Sequence, residues 1–157
     1  MKRSKSRIIA WIAAAAMALS MTPSVAFAGS SSAFAGGSGT ESDPYVIKTA
    51  EQLAAVAGDL DANYVLDNDI DLSSYGTWTP IGEFENTNGD GETPDESKAF
   101  SGVFDGKNHK IIGINVDGMM AAGLFGVTAG AEIKNLRFEN VSVKGTCMVG
   151  AAIGYAF

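Results

Sequence analysis

Three aspartates in one short segment are the first candidates for chemistry. Asp67, Asp69 and Asp71 stand two apart within YVLDNDIDL, residues 64–72. On an extended strand this spacing puts all three carboxylates on one face, with neighbours ~7 Å apart. Carboxylate pairs separated by ~5–9.5 Å are what glycoside hydrolysis uses. One reading is therefore a polysaccharide-active hydrolase or lyase working through these three residues. A row of like charges also suits a hard cation such as Ca²⁺. The third reading is a solvated outer face, because Tyr64, Leu66, Asn68, Ile70 and Leu72 alternate with the acids and form an apolar face of their own. No second catalytic motif accompanies the aspartates, so the solvated face is preferred and no catalytic residue is assigned.

A second acidic stretch, EFENTNGDGETPDESK at residues 83–98, carries six acids and one base. Asn86, Asn88 and Asp90, followed by Gly91, match the first half of an EF-hand calcium loop. Ser97 stands where the loop needs a bidentate Glu, and flanking helices are missing. The expectation is a solvated insertion with at most adventitious Ca²⁺, and no cofactor.

The other chemistry-bearing residues are isolated. His109, the only histidine, lies in the turn sequence FDGKNH, with no arrangement suggesting a catalytic triad. Lys134 and Arg137 would suit a lyase as base and charge clamp, but they read as solvated strand-edge residues. Cys147 is the only cysteine, which excludes a disulfide within the chain; it is expected to be a small buried apolar residue. Trp78, Tyr75 and Tyr64 would stack on sugar rings if exposed, although Trp78 beside Pro80 and Ile81 reads as core. The glycines lack the Gly-Lys-Ser/Thr ending of a phosphate loop.

The segments that must position these residues begin after a leader. Lys2, Arg3, Lys5 and Arg7 precede an apolar run from Ile8 to about Met21, and Ala26-Phe27-Ala28 supplies a small-x-small cleavage pattern. Residues 1–28 therefore read as a secretory signal peptide, with a second possible cut after Ala35. Without the leader, 129 residues carry a net charge of −11. So acidic a surface argues against nucleic acid and anionic lipid as partners and fits an exported protein.

Residues 29–42 read as a flexible Gly/Ser linker, with order expected from Asp43-Pro44. Tyr45 to Ile47 is a predicted strand. Thr49-x-x-Gln52 is a capping box that opens a helix of nine or ten residues, with Leu53, Val56 and Ala57 on one face and Gly58 at its end. Short strands follow, separated by Gly, Asp or Asn. They include Ile111–Val116, Gly123–Val127, Ile133–Phe138, Val141–Val143 and Val149–Ile153. All 19 glycines lie after the leader, about twice the usual ~7% of residues.

These strands repeat. Ile114, Val116 and Gly118 match Val141, Val143 and Gly145 at an offset of 27, and Gly123-Leu124-Phe125-Gly126 matches Ala151-Ala152-Ile153-Gly154 at an offset of 28. The extra residue is expected in the turn between the two matched pieces. A period near 27 accommodates three strands of ~4 residues and three turns, one coil of a stacked solenoid. The fold class expected is all-β, a parallel β-helix with a short N-terminal capping α-helix, occupying residues 43–157 with an insertion at 83–98. A β-sandwich is the alternative.

The order GSGTESDPYVIKTAEQLAAVA, YVLDNDIDLSS, WTPIG, FSGVFDGKNHKIIGINV and AAGLFG resembles the N-terminal part of bacterial surface proteins carrying the GLUG motif, here Gly123-Leu124-Phe125-Gly126. The second copy departs from the motif at Ala151 and Ala152 and keeps Ile153-Gly154. The resemblance implies a right-handed parallel β-helix serving as stalk or presenting module of an exported, adhesin-like protein, with no catalytic residues to carry over. The expected function is a non-catalytic cell-surface module for adhesion, presentation or spacing, secreted or held at the surface. Its expected partners are an extracellular protein or glycan, and either further repeats of the same chain or a second copy at the C-terminal strand edges, since the last repeat reads as a cut stack. The competing functions are the polysaccharide-active enzyme and a calcium-stabilised carbohydrate-binding module.

Overall fold

The computed structural model describes residues 33–84 and 95–157, which fold mainly into short strands. The strands are β1 (Tyr45–Ile47), β2 (Asn63–Leu66), β3 (Ile70–Asp71), β4 (Val103–Asp105), β5 (Lys110–Ile112), β6 (Asn115–Ala122), β7 (Phe125–Thr128), β8 (Glu132–Lys134), β9 (Arg137–Glu139), β10 (Ser142–Val149) and β11 (Ile153–Ala156). Among the described residues, one α-helix, α1 (Ala50–Ala54), continues as a 3₁₀ turn to Gly58.

Every ladder between these strands is parallel. The strands form four small sheets, ordered β1-β2-β4-β8, β3-β5-β9, β6-β10 and β7-β11. The chain visits the sheets in a fixed cycle: β4, β5, β6, β7 in one circuit, then β8, β9, β10, β11 in the next. An earlier, less regular circuit runs through β2 and β3. It continues with Trp78, whose N–H donates to the Asn115 carbonyl, and Ile81, which bridges Phe125 in parallel.

The register carries the sequence repeat. Val143 lies opposite Val116 and Val149 opposite Ala122, both 27 apart, whereas Ile153 lies opposite Phe125, 28 apart. The extra residue therefore falls at the corner between residues 149 and 153, opposite Gly123-Leu124. The ladder also shifts around Gly145, which pairs with Met119 rather than Gly118. The predicted strand Ile133–Phe138 is two strands, because Asn135 at φ 52° turns the chain between β8 and β9. Corners recur in register: Gly113 at φ 71° occupies one circuit and Asn140 at φ 55° the next. Asn tolerates this left-handed conformation better than other side chains.

The core lies between the sheets. Tyr64, Phe104, Ile111, Ile114, Val116, Leu124 and Phe125 are fully buried. Aromatic rings thread it, with Phe100 and Phe104 packed on Phe125 at 4.8 and 5.3 Å between ring centroids. Leu53 and Val56 bring α1 onto this core, but Ala57 is exposed rather than sharing their face. The Thr49 side chain accepts from the Gln52 N–H, while the Gln52 side chain reaches the Lys48 N–H, one residue before the reciprocal partner of a capping box.

The segment expected as a flexible linker is docked from Phe34 onward. Phe34 stacks on Tyr45 at 4.5 Å, and Gly36 forms an antiparallel bridge with Val46. An aromatic contact and backbone pairing outweigh the Gly/Ser composition. The leader and most of the insertion lie outside the described residues, together with Asn86, Asn88 and Asp90.

Candidate functional site

Asp67, Asp69 and Asp71 do not share a strand face. β2 ends at Leu66 and β3 begins at Ile70, in different sheets. The chain bends across Asp67–Asp69, which turns Asn68 to the surface instead of into the core. Each carboxylate has its own partner. Asp67 pairs with Lys48 at 2.9 Å. Asp69 accepts from the Lys110 N–H at 2.9 Å and lies 3.2 Å from His109 Nδ1. Asp71 accepts from the Ser73 N–H at 2.8 Å. These hydrogen bonds favour the charged forms, and all three carboxyls are held below the ordinary aspartate range, chiefly by Lys48 for Asp67, by the Lys110 backbone for Asp69 and by Ser73 for Asp71. A general acid needs the opposite shift. Among the described residues, no group of three His, Cys, Asp or Glu is placed to hold a metal ion.

The remaining candidates separate in the same way. His109 is tied to Asp69 at the β4–β5 corner, a contact 40 residues apart in sequence that the turn motif did not disclose. Lys134 pairs with Glu132 at 2.8 Å, and Lys110 with Glu139 at 2.9 Å. Arg137 is exposed at the start of β9. Cys147 is exposed, contrary to expectation, because β10 is the outer strand of its sheet and turns that side chain outward. Tyr64 is buried, its hydroxyl donating to the Asp59 carbonyl, and burial raises its pKa well above the usual phenol range. Trp78 is buried too, its indole N–H donating to the Leu124 carbonyl at 3.1 Å. Of the three aromatic candidates only Tyr75 is open, 39% exposed and packed on Trp78 at 5.5 Å.

The glycine motif is a packing device. A Cβ on Gly126 would lie 2.3 Å from the Gly82 carbonyl oxygen, and one on Gly154 would lie 2.8 Å from the Gly126 carbonyl oxygen. Gly82, Gly126 and Gly154 thus form a column in which backbone rests on backbone, each after an apolar residue: Ile81, Phe125 and Ile153. Gly123 is held the same way, 2.6 Å from the Gly150 carbonyl oxygen at its Cβ position. The column includes Ile81-Gly82, which the repeat as read did not. The apolar-Gly step was the available signal, hidden by the insertion that follows it.

Among the concavities of the described surface, two bring candidate residues together. A groove of about 390 Å³ crosses the outer face of the β1-β2-β4-β8 sheet, lined by Asp105, Lys107, Glu132 and Lys134 among others. A cleft of about 230 Å³ lies between α1 and the segment from Tyr75 to Glu83, with Lys98 on its rim. No described helix is long and apolar enough to cross a membrane.

No protein-family model matches the chain, and no solved structure matches it. The chain is similar to a protein of Evansella cellulosilytica, provisionally named Gly-rich membrane protein, with 35% identity over 79% of this chain and 14% of that protein. It is also similar to halomucin of Haloquadratum walsbyi, with 31% identity over 75% of this chain and 1% of halomucin. The chain thus spans a small fraction of the relatives it matches.

Proposed function

We propose that this chain is a non-catalytic module of an exported surface protein, built as a right-handed parallel β-helix of the GLUG-motif type. The observation that carries the reading is the cyclic visit to four parallel sheets, in register at 27–28 residues between the last two circuits. Parallel crossovers are right-handed in nearly all proteins, and one circuit per repeat is the geometry of a solenoid. The glycine column explains why a Gly-apolar-apolar-Gly step would recur, since each circuit lays backbone against backbone there. The relatives' names, Gly-rich membrane protein and halomucin, support placement at the envelope or outside the cell. The partnered, dispersed aspartates favour a structural role over polysaccharide cleavage.

In this reading β8, β9, β10 and β11 offer open outer edges to a further circuit or to a second copy of the chain. Fractionation of cells expressing the tagged full-length chain tests the proposal. Recovery from the medium or envelope, with a mature N-terminus at Gly29 or Gly36, is expected. Retention in the cytoplasm with Met1 intact would overturn it. Light scattering across a concentration series then reads the open edges: growth in mass with concentration is expected, and a monomer throughout would remove self-association.

A further inference from the structure

We infer that the cleft between α1 and the Tyr75–Glu83 segment is a binding subsite for one neutral pyranose unit of a glycan chain. The inference deepens the surface-module reading, which supplies the setting in which such a ligand is met.

The cleft combines the two features that sugar recognition requires. One is an apolar platform: Tyr75 is 39% exposed and its ring rests against the buried Trp78 ring at 5.5 Å with a 51° tilt, so it is held in place while part of it stays open. The C–H face of a pyranose packs on such a ring. The other is hydrogen-bonding capacity around that platform. Thr79, with its hydroxyl, and Glu83, with its carboxylate, line the same cleft. A volume of about 230 Å³ is below the ~300–1,000 Å³ usual for drug-sized ligands and suits a single ring.

The alternative groove on the β1-β2-β4-β8 sheet is a poorer candidate. No aromatic ring is among its lining residues, so it offers no platform for the C–H face of a sugar. The charge of the chain selects the ligand further. A net charge of −7, or −11 without the leader, favours neutral over uronic or sulfated glycans through long-range repulsion. Because a single ring makes few contacts, the affinity per site is weak, about 1 mM. A surface array raises it by multivalency.

The test is an NMR titration of the full chain with cellohexaose, maltohexaose and mannohexaose, using an oligogalacturonate as the anionic comparison. Saturable shifts at Tyr75, Thr79, Glu83 and the Trp78 indole are expected with at least one neutral hexaose. Tyr75→Ala weakens binding about tenfold and Tyr75→Phe retains it. If circular dichroism shows Tyr75→Ala misfolded, Thr79→Val decides the matter by a several-fold loss. No saturation up to about 10 mM, saturable shifts confined to other residues, or preference for the oligogalacturonate would each overturn the inference. Binding that persists unchanged in folded Tyr75→Ala removes this site and leaves the adhesive module standing. Cytoplasmic retention removes the module reading without touching the titration.

Discussion

The middle circuit, β4 to β7, and the last one, β8 to β11, place similar side chains at equivalent positions and differ in what lies beside them. Phe104, Ile111, Val116 and Phe125 are fully buried. Their ladder partners Ile133, Phe138, Val143 and Ile153 pack on the same core but remain partly open. The middle circuit is covered on both sides, whereas the last has a neighbour on one side only among the described residues. Burial in a stacked fold is thus a property of neighbours as much as of sequence. Stability should accordingly divide into terms within circuits and terms between them.

The sharpest way to break that comparison is to truncate one core side chain in each circuit. Phe125→Ala removes a side chain enclosed by Phe100 and Phe104 and should cost about 3–5 kcal/mol in urea unfolding. Ile153→Ala, at the paired position, should cost less than about 2 kcal/mol, because less area leaves water on folding. Equal losses would show that the last circuit is as enclosed as the middle one, and the contrast would fall.

The glycine column gives the next largest effect. Gly126→Ala drives a Cβ to 2.3 Å from the Gly82 carbonyl oxygen, a backbone atom that cannot swing aside. A loss of about 2–4 kcal/mol is expected from forcing the circuits apart. Gly58→Ala, with no atom near its added Cβ, should be neutral or stabilising by up to about 1 kcal/mol through the unfolded chain. Thermal melts of the two variants separate packing from glycine chemistry in general. Native-state hydrogen exchange reads the same division without mutation: amides of β6 and β7 should exchange more slowly than those of β10 and β11. Uniform protection would indicate a single cooperative unit.

The repeat at 27–28 residues was legible because Val116/Val143 and Phe125/Ile153 keep apolar type at fixed spacing. The capping helix was legible through Thr49 and Gln52, and the core face through Tyr64, Leu66, Ile70 and Leu72. What escaped sequence reading has local causes. The aspartate row failed because alternation looks the same whether a strand continues or bends at a corner, and only Asn68 hinted at the bend. Phe34 was missed because its anchor is an aromatic contact with Tyr45 and Tyr64, invisible beside so much Gly and Ser. The first circuit was missed because Ile81-Gly82 is separated from the next Phe-Gly step by the acidic insertion. Tyr64 was legible as core from its place on the alternating face, but nothing in the sequence around Tyr75 disclosed that its ring stays open while resting on the buried Trp78.

The smallest expected effect concerns the acidic corners, which lie on the rim of the circuits rather than between their cores. Asp105 is pushed up by desolvation, but hydrogen bonds from Asn135 and the Lys107 N–H outweigh this and hold its carboxyl below the ordinary aspartate range. Asp67, Asp69 and Asp71 are lowered as well. A depressed folded-state pKa contributes stability that is present above the unfolded value and lost as pH falls through the folded one. Stability should therefore be flat from neutral pH down to about 5 and decline below about 4. Asp105→Asn should flatten part of that decline, since Asp105 accepts from Asn135 of the next circuit and its charge acts between circuits. Asp71→Asn should alter it less, because Ser73 is a partner within its own corner. If the two substitutions change the acid limb equally, the ionic contacts do not distinguish contacts within a circuit from contacts between circuits, and the division would rest on apolar packing alone.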